Sequence, residues 1–134
     1  MTNLKDMNML PENQWIDVCH LDDITPNTGV GALIAGQSVA LFRVGNEKRI
    51  YALSNKDPFS QANVMARGII GDLQGERVIA SPIYKQHFSL ATGRCLEDKD
   101  QKLSVFPTKI ENGRVWVGTV TKKTYITNNG VSQE

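Results

Sequence analysis

The sequence predicts an all-β domain, a small antiparallel sandwich or barrel, on three observations. Short runs alternate apolar and polar residues at the period of two that a half-buried strand requires. Glycine, proline, asparagine and aspartate recur every few residues, and helical periodicity is weak. Asn112-Gly113 lies between two strand-like runs, and Asn-Gly supplies the two left-handed positions of a type I′ hairpin turn.

The elements follow in order. Trp15-Ile16-Asp17-Val18-Cys19 alternates as a strand does, and Leu21–Pro26 reads as a turn or a single helical turn. Pro26-Asn27-Thr28-Gly29 is a breaker cluster. Val30–Ile34 and Ser38–Val44 read as two strands joined around Gly36-Gln37. Gly45-Asn46-Glu47-Lys48 is a hairpin loop, and Arg49–Leu53 is the returning strand. Asn55–Gly75 reads as loop-rich, with a short helical turn at Ala62–Ala66 and an apolar step, Ile69-Ile70, between Gly68 and Gly71. Val78–Ala80 and Gln86–Ser89 are brief strands, the second closed by the turn Ala91-Thr92-Gly93. Glu97–Lys102 mixes both signs of charge and reads as a solvated loop. Leu103–Ile110 and Arg114–Val120 form the closing hairpin, with Val115 and Val117 on one face and Trp116 on the other. Pro107 cannot donate to a ladder, which marks an edge or a bulge there. The expected division is a flexible N-terminal segment at 1–12, the domain at 13–120, and a frayed polar tail at 121–134.

A chain of 134 residues is one domain's worth and can bury about two thirds of its unfolded surface. With 40% hydrophobic and 22% charged residues it has the composition of a globular protein. A net charge of +1 without a basic block gives no reason to expect nucleic acid as a partner. No apolar run approaches the ~20 residues that span a bilayer, and Met1–Pro11 lacks a signal peptide's apolar core, so a cytoplasmic location is expected. Two cysteines, Cys19 and Cys95, are expected as reduced, buried or half-buried thiols.

Two segments have the outline of a metal site without its ligands. They are Asn55-Lys56-Asp57-Pro58-Phe59 and Ser81-Pro82-Ile83-Tyr84-Lys85-Gln86-His87-Phe88-Ser89-Leu90-Ala91-Thr92-Gly93. Together they resemble the two ligand boxes of the Rieske iron–sulfur fold, Cys-x-His and Cys-Pro-x-His, in which two Cys hold one iron and two His the other. The matching positions here are Asp57, Phe59, Ser81 and Tyr84. Phenylalanine has no lone pair, and serine and tyrosine are poor stand-ins for thiolate and imidazole. The resemblance runs from Trp15 to Val120 and implies a Rieske-like sandwich with an inserted two-loop subdomain, both loops meeting at one end.

Within that fold, Asp57-Pro58-Phe59-Ser60, Arg67–Asp72, Ala80–Phe88 and Gly93-Arg94-Cys95-Leu96 resemble the small subunits of the bacterial NAD(P)H-dependent nitrite reductases. This resemblance implies an accessory role in assimilating nitrite to ammonia. The chemistry would lie on a large partner subunit carrying FAD, sirohaem and an iron–sulfur cluster and accepting hydride from NAD(P)H. No catalytic residue and no cofactor are expected in this chain, which lacks a Gly-x-Gly-x-x-Gly motif and a cysteine set.

The individual residues carry competing readings. Asp57 either accepts loop backbone N–H groups or faces a partner, and Asp before Pro is a common turn former. Phe59 is expected to fill the space a cluster would take. Ser81 and Tyr84 either hydrogen-bond across the two loops, or Tyr84 packs with its hydroxyl in water. Tyr84, Lys85 and Gln86 at the second loop are candidates for a partner interface, with plain solvent exposure as the alternative. His20 and His87 read as satisfied or exposed side chains, and Asp22-Asp23 as an acidic turn. Two further functions stand beside the accessory subunit. One is a [2Fe–2S] carrier with unusual ligands drawn from Cys19, His20, His87 and Cys95; the other is a free-standing binding module.

Overall fold

The computed structural model describes residues 14–45 and 49–119 in full, and the backbone of 124–127 and 130–133. Its strands are β1 (Trp15–His20), β2 (Thr28–Ile34), β3 (Gln37–Arg43), β4 (Ile50–Ser54), β5 (Ile69–Leu73), β6 (Glu76–Ala80), β7 (His87–Ser89), β8 (Val105–Phe106), β9 (Thr108–Glu111), β10 (Arg114–Gly118), β11 (Thr124–Thr127) and β12 (Gly130–Gln133). Two short 3-10 turns, Leu21–Asp23 and Met65–Arg67, are the helical structure among the described residues.

The strands form antiparallel sheets in three layers. β1-β10-β9 is one outer layer, β2-β3-β4-β8 is the middle, and the inserted β5-β6-β7 is the other outer layer. The middle sheet is covered on both faces, and β3 shows why its apolar run Val39-Ala40-Leu41-Phe42 is unbroken. Val39 and Leu41 face a core shared with Ile24, Ile50, Phe106, Val115 and Val117. Ala40 and Phe42 face a second core with Leu53, Met65, Ile79, Phe88 and Leu90. All four β3 side chains are fully buried, which a strand sandwiched between layers requires.

Pro107 sits where the chain changes sheets. β8 before it pairs with β4, and β9 after it pairs with β10. Having no N–H, proline ends one ladder without leaving a donor unpaired. Its carbonyl accepts the Gly118 N–H at 2.9 Å, which ties the switch to the end of β10. The closing hairpin turns at Asn112 and Gly113, with φ of 54° and 76°, as the Asn-Gly signal requires.

Three expectations need correction. Ile69-Ile70 is not a step between loops but the start of β5, with Gly71 inside the strand. Two glycines within four residues masked a strand that pairs from Ile69↔Ala80 to Leu73↔Glu76. The β2–β3 turn falls on Ala35-Gly36, both at positive φ, one residue before Gly36-Gln37. The segment read as a frayed tail contains β11 and β12, paired to each other as a separate two-stranded sheet. The first of these strands is Thr-Tyr-Ile-Thr, β-forming residues inside a polar stretch. The expected flexible segment at 1–12 and the loop at 46–48 lie outside the described residues.

Candidate functional site

The first box is the loop that follows β4 and the second joins β6 to β7, and the two meet as the spacing predicts. Asn55 braces the first. Its backbone N–H donates to Ser38 O at 3.0 Å, its Nδ2 to Ser38 Oγ at 3.1 Å, and its Oδ1 accepts the Ala66 N–H at 2.8 Å. Asn55 is buried, and nothing in the sequence around it marks it as a brace except its place two residues ahead of the Asp57-Pro58 turn.

Asp57 is fully buried. Its Oδ1 accepts the Phe59 N–H at 2.8 Å, and its backbone closes the turn through Asp57 N–H to Ala62 O and Gln61 N–H to Asp57 O. Its Oδ2 accepts the Ser81 hydroxyl at 2.6 Å. Ser81 is also fully buried. Its N–H donates to Gln86 O, its carbonyl accepts the Lys85 N–H, and its Oγ accepts the Ile83 N–H at 3.3 Å. One carboxylate–hydroxyl bond therefore joins the two loops, and every partner in it is satisfied.

Phe59 is half-buried and packs at a tilt against Phe88, with ring centroids 6.2 Å apart and planes at 52°. It thus fills space as expected. Tyr84 does not: it is 57% exposed, and its hydroxyl bonds to no described residue. The cross-loop bond comes from Ser81 with Asp57, and Tyr84 takes the solvent-facing alternative. Its neighbours Ile83 and Lys85 are exposed too. Lys85 adopts φ 68° and its Nζ reaches Pro82 O at 3.3 Å. Gln86 is half-buried, with its Oε1 enclosed and without a hydrogen-bond partner among the described residues.

The histidines and cysteines form two separate pairs, Cys19 with His20 on β1 and His87 with Cys95 around Glu97. His87 Nδ1 lies 2.6 Å from Glu97 Oε2, and the His87 N–H donates to Glu97 Oε1 at 2.8 Å. Glu97 had been read as part of a solvated loop; instead it clamps that loop to β7. Burial alone pushes its carboxyl up. The His87 N–H, the His87 ring and the Cys95 thiol outweigh that and hold it below the usual carboxylate range. Asp23 accepts the His20 N–H at 3.0 Å, and Asp22 stands 3.9 Å from Arg43. Cys19 and Cys95 are free thiols, and Cys95 lies in the core beside Phe88 while Cys19 packs against the other core. Burial pushes both thiols up, which disfavours the thiolate a metal needs. No group of three or more His, Cys, Asp or Glu among the described residues is arranged to hold a metal.

The four box positions do not suit a [2Fe–2S] cluster. Two donors on one tetrahedral metal with bonds of ~2.3 Å stand about 3.7 Å apart, whereas Asp57 Oδ2 and Ser81 Oγ are in direct contact at 2.6 Å. Phe59 offers no lone pair, and Tyr84 points to solvent.

Three layers, an inserted three-stranded sheet and two facing loops define a Rieske-like domain, and the Rieske-like [2Fe-2S] domain family matches residues 14–118. A nitrite reductase (NADH) small subunit of Salmonella typhimurium is 43% identical over 103 residues, covering 77% of this chain and 95% of that protein. A crystal structure of an NADH-dependent nitrite reductase small subunit from Mycobacterium tuberculosis superposes with a TM-score of 0.76 at 42% identity, covering 80% of this chain and 96% of that one. A nitrite reductase [NAD(P)H] large subunit of Klebsiella oxytoca is 44% identical over 109 residues, covering 81% of this chain, which spans 11% of that protein's length. This chain belongs to the Rieske-like family and, within it, to the nitrite reductase small subunits. Among the described residues no helix is long and apolar enough to cross a membrane.

Proposed function

We propose that this chain is the accessory small subunit of a cytoplasmic NAD(P)H-dependent nitrite reductase. It carries no cluster and no catalytic group of its own, and it docks on a large subunit through the loop end. The large subunit holds the FAD, sirohaem and iron–sulfur cluster and carries out the six-electron reduction of nitrite to ammonia.

The observation that carries this reading is the Asp57–Ser81 hydrogen bond. It closes the loops at the positions where a cluster-bearing relative would place its two thiolates, so the loop shape persists without metal. The Klebsiella protein supports the partnership: there a domain like this one is part of the large chain itself, and spatial association is then obligatory. Tyr84, Lys85 and Gln86 are the interface candidates, and exposure of Tyr84 and Ile83 at the loop tip suits them to it.

The test is co-purification of the tagged chain from nitrite-grown cells. The reading expects a large flavin- and sirohaem-bearing partner, and nitrite reduction that falls when the small subunit is withheld. Recovery of the chain alone, with full activity in its absence, would overturn it. The alternative of an electron carrier with unusual ligands has no observation in its favour, since Cys19 and His20 lie on β1 against one core while Cys95 and His87 meet Glu97 on the far side of the middle sheet.

A further inference from the structure

Apart from Glu97, which reaches in from the following loop to hold His87, the exposed charge at the loop end is of one sign. Residues 55–69 and 81–87 contain one carboxylate, Asp57, which is fully buried and bonded to Ser81. The exposed ionic groups there are Lys56, Arg67 and Lys85, all cationic. No described carboxylate pairs with any of the three; the Lys85 ammonium reaches the Pro82 carbonyl. His87, the remaining titratable group of the second loop, is held by Glu97.

The backbone brings the three cationic residues to neighbouring positions. Lys56 adjoins Asp57, whose carboxylate holds Ser81, and the Lys85 N–H donates to Ser81 O. Arg67 precedes Gly68, which packs directly on the carbonyl of Ala80, the residue before Ser81. The same segments carry exposed apolar side chains: Ile69 at 72%, Ile83 at 43% and Tyr84 at 57%. Elsewhere the described surface interleaves its signs, with Asp17–Arg114, Asp22–Arg43 and Lys109–Glu111 pairs. The net charge of +1 conceals this segregation.

Unpaired like charges beside exposed apolar side chains suit a partner of opposite sign, because complementary potential steers encounter and the apolar side chains supply the anchoring contact. We infer that the surface of the large subunit receiving this loop end is acidic, with a shallow apolar recess for Ile83 and Tyr84 ringed by carboxylates that meet Lys56, Arg67 and Lys85. This inference rests on the accessory-subunit reading and adds the chemistry of the contact.

Association kinetics of the full chain with the isolated large subunit, measured from low to near-physiological ionic strength, test it. The association rate of the wild type should fall several-fold as salt rises. The triple variant Lys56→Glu, Arg67→Glu, Lys85→Glu should associate about tenfold more slowly or worse at low salt, with its salt dependence flattened or reversed. Lys85→Glu should act severalfold, and Arg49→Glu, the same charge change just before β4, less than twofold. Circular dichroism establishes that the variants are folded.

A wild type that ignores the large subunit overturns the subunit assignment and this inference with it. A wild type that binds without salt dependence, and a triple variant that binds as well, overturn the acidic partner and leave the assignment standing. Loss of binding in Tyr84→Ala with the charge reversals neutral would make the contact purely apolar, also against the inference. Self-association that the triple variant abolishes would reassign the patch to a second copy of the chain.

Discussion

The Ser81 hydroxyl donates a 2.6 Å hydrogen bond to Asp57 Oδ2 across 24 residues of chain, and both groups are fully buried. That bond ties the two loops directly to each other. Removing it by Ser81→Ala leaves a buried carboxylate oxygen without its partner. The variant should lose about 1–3 kcal/mol of stability, read as a lower denaturant midpoint. Asp57→Ala should cost at least as much, since it also removes the acceptor of the Phe59 N–H. In a double-mutant cycle the two changes should couple by roughly 0.5–3 kcal/mol. Strict additivity would show that the bond contributes nothing to holding the loops.

Phe59 is the second support of the loops, through its contact with Phe88. It is half-buried, so Phe59→Ala should cost less than the ~3–5 kcal/mol of a full core deletion, about 2 kcal/mol. Phe59→Leu should recover most of that. Equal stability in all three proteins, by chemical denaturation, would show that Phe59 lies on the surface and fills no space.

Gly68 allows the first loop to lie against the insert. A Cβ there would collide with the Ala80 carbonyl, which is backbone and cannot rotate away. Gly68→Ala should therefore destabilise by about 1–3 kcal/mol, with the largest loss of hydrogen-exchange protection at Ser81 and Lys85. Unchanged protection there would contradict the close approach.

Much of this architecture was legible in the sequence, for reasons that differ by element. The closing hairpin was readable because Asn112-Gly113 meets a local backbone requirement. β3 was readable because burial on both faces leaves an unbroken apolar run. The loops were placed at one end through their box-like spacing, and Asp57 as an acceptor of backbone N–H through its position before Pro58. β5 was not readable, because Gly68 and Gly71 serve close approach and strand interior where they signal a break. The Glu97–His87 clamp was not readable either. It joins residues ten positions apart across the turn after β7, and nothing local distinguishes Glu97 from its charged neighbours. The outcome for Tyr84 depended on which way one side chain turns, and periodicity is silent on that in a loop.

Glu97 gives the domain an acid-sensitive contact. Its carboxyl is held below the ordinary range in the folded chain, so folding favours the ionised form. That contribution is present above the unfolded carboxylate value and is lost as pH falls through the lower folded one. Between about pH 5 and 3 the wild type should lose stability more steeply than Glu97→Gln, while near neutrality the variant is the weaker of the two. Parallel melting-temperature profiles over that range would show that Glu97 is not anchored in solution.

Iron and labile sulfide, quantified in the chain expressed with excess iron and purified anaerobically, test most directly the claim that the Rieske-like scaffold stands without its cluster. Because Ser81 and Asp57 occupy each other's bonding positions and Phe59 cannot ligate, the account predicts a colourless protein with iron far below one atom per chain. About two irons and two sulfides per chain, with a visible charge-transfer band, would contradict it.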